Sequence, residues 1–313
     1  MKVVSTIENY IPKQLCALTI GTFDGVHVGH RKIIERLVNH AKAKAQLSVV
    51  LTFFPHPRMV LQEDTELRLI DTVKEKELFL EQLGVDVLVI HPFSKVFSRQ
   101  SADTFIRDIL VNRFKIAHLI IGYDHRFGRN REATVDDLVA AGTTYGFSVE
   151  KIEAQEIESV NVSSTKIRLA LENGQVEKAS QYLSRPFQIT GTVEKGEGIG
   201  KTIAFPTANL SVEEPYKLLP ADGVYFVFSQ IENQRVYGMM NIGFRPTLAG
   251  SLRTLEVHFF DFKGNLYGQR LCVQLIRAIR SEKKFSSLDE LKKQLQLDRA
   301  HCIAMIPGEE GKK

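Results

Sequence analysis

Two histidines three residues apart, His27 and His30, stand in the stretch L-T-I-G-T-F-D-G-V-H-V-G-H at 18–30. The apolar run 15–20 before them has the length and aliphatic content of a buried strand. A helical pattern begins where the histidines stand, and residues three apart share one helix face. Both imidazoles are therefore expected to point the same way at a helix N-terminus. Unpaired N–H groups and the positive end of the peptide dipole attract anions there. Gly21, Gly25 and Gly29 let backbone come close to a ligand. The chemistry such a turn can do is the cradling of a phosphate. For an isolated H-x-G-H, two solvated histidines are the blander reading; the strand before it and the helix after it favour the cradle.

Three further stretches carry polar groups at telling positions. Residues 162–168 read V-S-S-T-K-I-R, so Ser163, Ser164 and Thr165 open a helix. One of them caps it, and the same N-terminus can hold phosphates while Lys166 or Arg168 neutralises their charge. The loop G-Y-D-H-R-F-G-R-N-R, from Gly122, follows an apolar strand and carries Asp124 among arginines. Loops at strand ends often bear function, although a solvated basic loop fits the pattern equally well. The third stretch, K-G-E-G-I-G-K-T-I-A-F-P-T-A-N-L at 195–210, invites comparison with a Walker phosphate loop. It fails: Lys195 stands where the first glycine must be, and Pro206 interrupts the helix that should follow. On pattern alone P-T-A-N is a turn into a strand. In R-T-L-E-V-H-F-F-D-F, residues 253–262, Thr254, Glu256 and His258 share one face and Leu255, Val257 and Phe259 the other.

These groups need elements to hold them. In the first half, strands at 15–20, 47–53, 85–90, 117–121 and 147–152 alternate with helical patterns at about 30–44, 71–83, 101–114 and from Thr134. Near-continuous apolar strands alternating with helices predict a doubly wound parallel sheet. Ligands bind such sheets beyond the carboxyl ends of the strands, where the Gly21 and Gly122 turns fall. Helices near 164–174 and 176–183 follow. Ser184-Arg185-Pro186 is the expected domain boundary, separating 1–184 from 185–306. Beyond it come successive strands at 188–193, 223–228, 235–242, 253–261 and 271–279, parted by turn residues. They predict a small antiparallel β-barrel or sandwich closed by a helix at about 288–297. The tail 307–313 reads as disordered.

Composition bounds the class. A chain of 313 residues with net charge +4 gives no Lys/Arg block that would argue for nucleic acid. Three cysteines, Cys16, Cys272 and Cys302, lie far apart in no C-x-x-C arrangement, which argues against a disulfide framework or cysteine zinc site. No apolar run approaches the ~20 residues of a membrane span, and the first residues lack a signal-peptide core. A cytoplasmic protein is expected, with no nucleic-acid or membrane partner.

The motifs together resemble those of the bacterial bifunctional riboflavin kinase/FMN adenylyltransferases, also called FAD synthetases. F-D-G-V-H-x-G-H resembles the nucleotidyltransferase signature, G-Y-D-H-R-F-G the family's G-x-D-F-x-F-G, and V-S-S-T-K-I-R its I-S-S-T-x-x-R. G-I-G-K-T-I-A-F-P-T-A-N-L resembles the riboflavin kinase P-T-A-N segment. Lys195, Lys201 and Ala204 depart from the commoner pattern, as His125 does in the loop. The resemblance implies ATP binding by Gly21, Thr22, Phe23, Asp24, Asp124, Ser163, Ser164, Thr165 and Arg168 around His27 and His30. In the second half it implies ATP at Gly198, Gly200, Lys201, Thr207 and Asn209, with Thr207 and Asn209 holding Mg²⁺. It gives Glu256 the role of general base toward the ribityl hydroxyl. M-N-I-G-F-R-P-T and I-R-S-E-K-K-F, through Asn241, Arg280 and Phe285, would shape the flavin pocket. The implied reactions convert riboflavin to FMN and FMN to FAD, each with ATP. A nucleotidyltransferase with another acceptor lacks the P-T-A-N half. A flavin-binding regulator would have no need of both histidines, the serine motif and Glu256.

Overall fold

The computed structural model describes residues 1–64, 66–123, 125–153, 162–196, 200, 205–247 and 250–307, with side chains left aside at 245–247 and 250–252. Asp124, Gly198, Lys201 and Ala204 thus lie outside the described residues, as does the tail from 308 onward. The chain divides into two compact units, Met1–Ser164 and Thr165–Lys313.

The first unit is built on a six-stranded parallel sheet: β1 Lys2–Val4, β2 Cys16–Ile20, β3 Leu47–Phe53, β4 Val87–His91, β5 Ile116–Gly122 and β6 Ser148–Ile152. Their spatial order is β1-β4-β3-β2-β5-β6. From β2 the chain winds outward through β3 and β4, then returns to place β5 on the other side of β2. The carboxyl ends of β2 and β5 are therefore the switch point where ligands bind in such sheets. Alternate residues of β2 go to opposite layers. Cys16, Leu18 and Ile20 join the core that contains Phe105, Leu110, Phe114 and Phe127. Ala17 joins the core beneath helix α1, Val28–Ala43, and helix α3, Val73–Gln82. Both faces are covered, which is why the strands read as unbroken apolar runs.

Between these elements lie a short α2, Pro57–Leu61, and α4, Ala102–Thr104, which runs on as a π-helix over Phe105–Arg113. Ser101 caps α4 as expected, its Oγ accepting the Thr104 N–H at 3.1 Å. Helix α5, Val135–Tyr145, starts at a reciprocal cap in which Asp137 accepts the Thr134 N–H.

In the second unit, α6 Ser164–Glu172 and α7 Val176–Leu183 precede a closed barrel of six strands. These are β7 Phe187–Glu194, β8 Ala208–Ser211, β9 Gly223–Ile231, β10 Gln234–Thr247, β11 Gly250–Phe259 and β12 Arg270–Ser281. The barrel runs β10-β11-β8-β7-β12-β9 and every pairing is antiparallel. Helix α8, Leu288–Ala304, is longer than the pattern suggested and lays Cys302 against Phe205, Phe226 and Phe260. The two compact units part at the head of α6, ahead of the boundary placed at 184. The helices between pack on the barrel: the Leu171 carbonyl accepts the Ala221 N–H at 2.9 Å, and Glu177 pairs with Arg277 at 3.4 Å.

Candidate functional sites

The turn after β2 is tight. Phe23 and Val26 take positive φ of 46° and 38°, with Gly25 at 88° between them. A β-branched residue at positive φ is a costly conformation, of the kind that accumulates at ligand-binding turns. The Val26 N–H bonds back to the Phe23 carbonyl at 3.2 Å. Asp24 is buried, and its carboxylate accepts the Ile70 and Asp71 N–H groups at 3.0 and 3.5 Å. Thus Asp24 anchors the turn to the segment that leads into α3.

His27 is the N-cap of α1, one residue outside the helix, rather than a partner of His30 on its face. Its Nδ1 accepts the His30 N–H at 3.3 Å, and the two rings stack 3.6 Å apart at 17°. With Nδ1 used as an acceptor, neutral His27 carries its proton on Nε2, a donor for an anion. His30 meets the edge of Phe23 at 5.3 Å, and its Nδ1 is buried with no hydrogen-bond partner among the described residues. Burial pushes His27 down to about 4, and burial reinforced by His27 and Lys76 pushes His30 well below its ordinary value. Both rings are therefore neutral at pH 7, as hydrogen-bond donors beside phosphate can be.

The second serine motif reaches this turn. Ser164 Oγ donates to the Asp24 carbonyl at 2.9 Å. Ser163 is half-buried just before α6, while Thr165 and Arg168 stand on α6 itself, within the second compact unit. Gly21 accounts for another contact: a Cβ there would crowd the Phe23 ring at 3.1 Å.

One group at this site had no place in the motif reading. Lys76 of α3 is buried, and its Nζ donates to the Thr22 carbonyl at 2.6 Å. Thr52 Oγ1 donates to the same carbonyl at 3.2 Å. Burial lowers the Lys76 ammonium, while Asp24 and Asp71 oppose that shift. The signal was in the sequence: V-K-E-K-E-L-F-L places a charge between Val73 and Leu80, on the stripe that helical spacing assigns to the core.

The barrel carries a second constellation. Asn241 of β10 pairs with Glu256 of β11, which pairs with Asn209 of β8, which pairs with Glu194 of β7. Residues directly opposite on neighbouring strands present side chains on one face, so amide, carboxylate and amide stand in a row. Thr207 Oγ1 donates to Glu256 Oε2 at 3.3 Å. Glycines stand close to this row: a Cβ at Gly196 would overlap the Asn209 amide, and one at Gly200 would collide with the Phe205 carbonyl, with Thr207 Oγ1 at 3.4 Å. The face bearing Leu255, Val257 and Phe259 is buried, as the alternation predicted. A cavity of about 310 Å³ lies beside Thr207, lined by Val193, Ala208, Val257, Phe259 and Tyr267 among others. Thr207 therefore borders both the carboxylate row and the cavity, whose lining also includes Lys263 and Asn265.

Arg280 is held by Asp298 of α8, with Nε and Nη2 both 2.9 Å from Oδ2, and its guanidinium lies 5.7 Å from the Phe285 ring. Asp298 is buried, so this ion pair pins the end of β12 to α8. Phe244, by contrast, is exposed.

Comparison with known proteins matches both halves of the chain. Residues 11–166 match the FAD synthetase family model and residues 183–306 the riboflavin kinase model. A bifunctional riboflavin kinase/FMN adenylyltransferase of Haemophilus influenzae is 38% identical over 286 residues, covering 91% of this chain and 92% of that protein. The proteins of that description from Escherichia coli K12 and Bacillus subtilis are 37% and 36% identical, covering 95% and 91% of this chain and 96% and 91% of their own. A crystal structure described as a macrolide-efflux protein from Streptococcus pneumoniae superposes with a TM-score of 0.86 at 30% identity, over 96% of this chain and 98% of that one. The chain belongs to the bifunctional riboflavin kinase/FMN adenylyltransferase family.

Proposed function

We propose that this chain carries out both reactions of its family, each at one of the two constellations. Riboflavin is phosphorylated with ATP to FMN on the barrel; FMN is adenylylated with ATP to FAD and pyrophosphate at the sheet. The observation that carries the reading is that each unit has its own constellation, a stacked imidazole pair at a helix head in the first and a carboxylate beside a threonine in the second.

At the sheet, the His27 Nε2–H and the free N–H groups of α1 face the α-phosphate, and charge spreading onto its oxygens in the transition state is met by donors already in place. Ser164, Thr165 and Arg168 hold the departing pyrophosphate. Ser164 belongs with this site because it bonds the Asp24 turn; Thr165 and Arg168 are assigned with it as members of the same serine motif. Neither step calls for a covalent intermediate; alignment and charge stabilisation suffice.

On the barrel, Glu256 takes the proton of the ribityl hydroxyl as that oxygen attacks the γ-phosphorus, and ADP leaves. The cavity beside Thr207 takes the nucleotide, while Asn241, Arg280 and Phe285 border the flavin. The donor set of Thr207 hydroxyl, Asn209 amide and Glu256 carboxylate consists of hard oxygens, which fits Mg²⁺. Thr207 and Asn209 would hold that ion, which supplies charge neutralisation on the phosphates. No helix among the described residues is long and apolar enough to cross a membrane, and no disulfide joins the described cysteines. A cytoplasmic location suits both facts. The efflux named for the pneumococcal structure has no counterpart in these sites, whose groups are those of phosphate transfer.

Assaying each half-reaction separately tests the assignment. His30→Ala is expected to lose FAD synthesis from supplied FMN by about 10²–10³-fold while riboflavin phosphorylation continues. Glu256→Gln is expected to do the reverse. Equal loss of both activities in a folded variant overturns the two-site reading.

A further inference from the structure

The far end of α1 holds a group of side chains that neither reaction uses. Arg36 and His40, one helical turn apart, face the paired strands β5 and β6, where His118 stands opposite Ser148 and Ile120 opposite Glu150. His40 lies ten residues past His30, about 15 Å along the helix at 1.5 Å per residue. The cluster is therefore distinct from the imidazole pair at the helix head.

Its donor atoms converge. Ser148 Oγ lies 2.7 Å from His118 Nδ1 and 3.2 Å from the Ala117 carbonyl. His118 Nε2 stands 3.2 Å from Glu150 Oε2, a spacing at which a nitrogen and an oxygen both reach one zinc ion at about 2.0–2.1 Å. The other oxygen of Glu150 is already engaged, Arg36 Nε lying 2.5 Å from Oε1. A third donor lies alongside, since the His40 ring stacks on His118 at 3.7 Å and 7°. Ligand atoms of His40, His118 and Glu150 all lie within 4.8 Å of one another.

We propose that His40, His118 and Glu150 bind one divalent cation of the zinc class, tying the C-terminal end of α1 to the β5–β6 edge of the sheet. Two imidazole nitrogens and one carboxylate oxygen suit zinc, cobalt or nickel, whereas magnesium and calcium prefer oxygen throughout. Ser148 and Arg36 are the outer partners that orient His118 and Glu150, as such groups do around metal ligands. His118 is buried and fixed; His40, half-buried at the rim, turns out of the stack to present its nitrogen. The fourth position faces water.

The test is calorimetric titration of Zn²⁺ into the full chain, stripped with chelator and free of nucleotide, with Co²⁺ absorption as a second readout. One saturable site is expected, with the visible spectrum of four-coordinate cobalt. Its affinity should fall by at least about 10-fold in His40→Gln, His118→Gln and Glu150→Gln, and persist in His30→Ala. FAD synthesis from supplied FMN, which depends on the same unit, reports that each of these three ligand variants is intact, and circular dichroism reports it for His30→Ala. Absence of saturable binding means the contact holds only a proton and overturns the proposal. So does zinc binding that survives His118→Gln, or that vanishes in His30→Ala.

Discussion

Ser164 Oγ donates to the backbone carbonyl of Asp24 at 2.9 Å across a separation of 140 residues. Asp24 in turn accepts the Ile70 and Asp71 N–H groups, so three distant segments meet on one turn. The serine motif therefore positions the histidine turn. Ser164→Ala removes one hydrogen bond, typically worth about 1 kcal/mol, and with it the tie between that turn and the residue that opens α6. FAD synthesis from supplied FMN should fall by about 10–100-fold, at the lower end of single-donor losses. Riboflavin phosphorylation should be unchanged. Separate chromatographic assays of FMN and FAD formation check it.

Lys76 gives a prediction that a purely structural role does not share. Its ammonium holds the Thr22 carbonyl and contributes to keeping His30 neutral. Replacing it with methionine removes that repulsion and leaves Asp24 and Asp71 without the cation that opposes them, so the His30 pKa rises. The acid limb of the FAD synthesis profile should then move to higher pH, with kcat reduced about 10-fold or more at neutrality. Lys76→Arg should restore the position of the limb better than the rate, because the charge returns but the reach to Thr22 differs. The pH profiles of the three proteins decide it; a methionine variant with an unmoved limb would show that Lys76 is merely packed.

Much of this arrangement was legible because local and global signals agreed. The turn 18–30 combined a buried strand, glycines and a helix start, and β2, α1 and β3 fall where the pattern placed them. Strand alternation put Glu256 on one face with Thr254 and His258, while its place beside Thr207 and Asn209 was implied by the family resemblance alone. Other features depend on partners remote in sequence. β1 is a three-residue edge strand whose only partner among the described residues is β4, and β8, a four-residue strand beginning two residues after Pro206, is a strand by virtue of β7 and β11. Neither has enough residues to show a period. His27 was expected on the helix face and proved to be its cap, because its ring nitrogen can take the place that Ser, Asp or Asn usually fills. Lys76 broke the apolar stripe of α3, but its partner Thr22 is visible only in the fold.

Gly196 offers a test confined to the barrel. A Cβ at this position would overlap the Asn209 amide, which pairs in register with Glu256. Backbone of the approaching loop cannot yield without withdrawing from Asn209. Gly196→Ala is therefore expected to lower riboflavin phosphorylation by about 10–100-fold, the scale that a misplacement near 1 Å produces. FMN adenylylation should continue at its original rate, and circular dichroism should report an intact fold.

The buried histidine at the head of α1 also makes stability depend on pH in a definite direction. His27 titrates near 6.5 when unfolded and at about 4 when folded, because burial disfavours the imidazolium. Between those values the unfolded chain binds the extra proton, so stability is full above about 6.5 and declines as pH falls toward about 4. At 1.36 kcal/mol per pKa unit the ceiling on this one contribution is about 3 kcal/mol. His27→Asn retains a side-chain acceptor for the His30 N–H but cannot titrate. Urea unfolding of both proteins at pH 7 and pH 5 should show the wild type losing more stability than the variant, by about 1–2 kcal/mol. Parallel losses in the two proteins would mean that His27 is solvated and free to protonate in the folded state. A stack of neutral rings could not then be what faces the nucleotide.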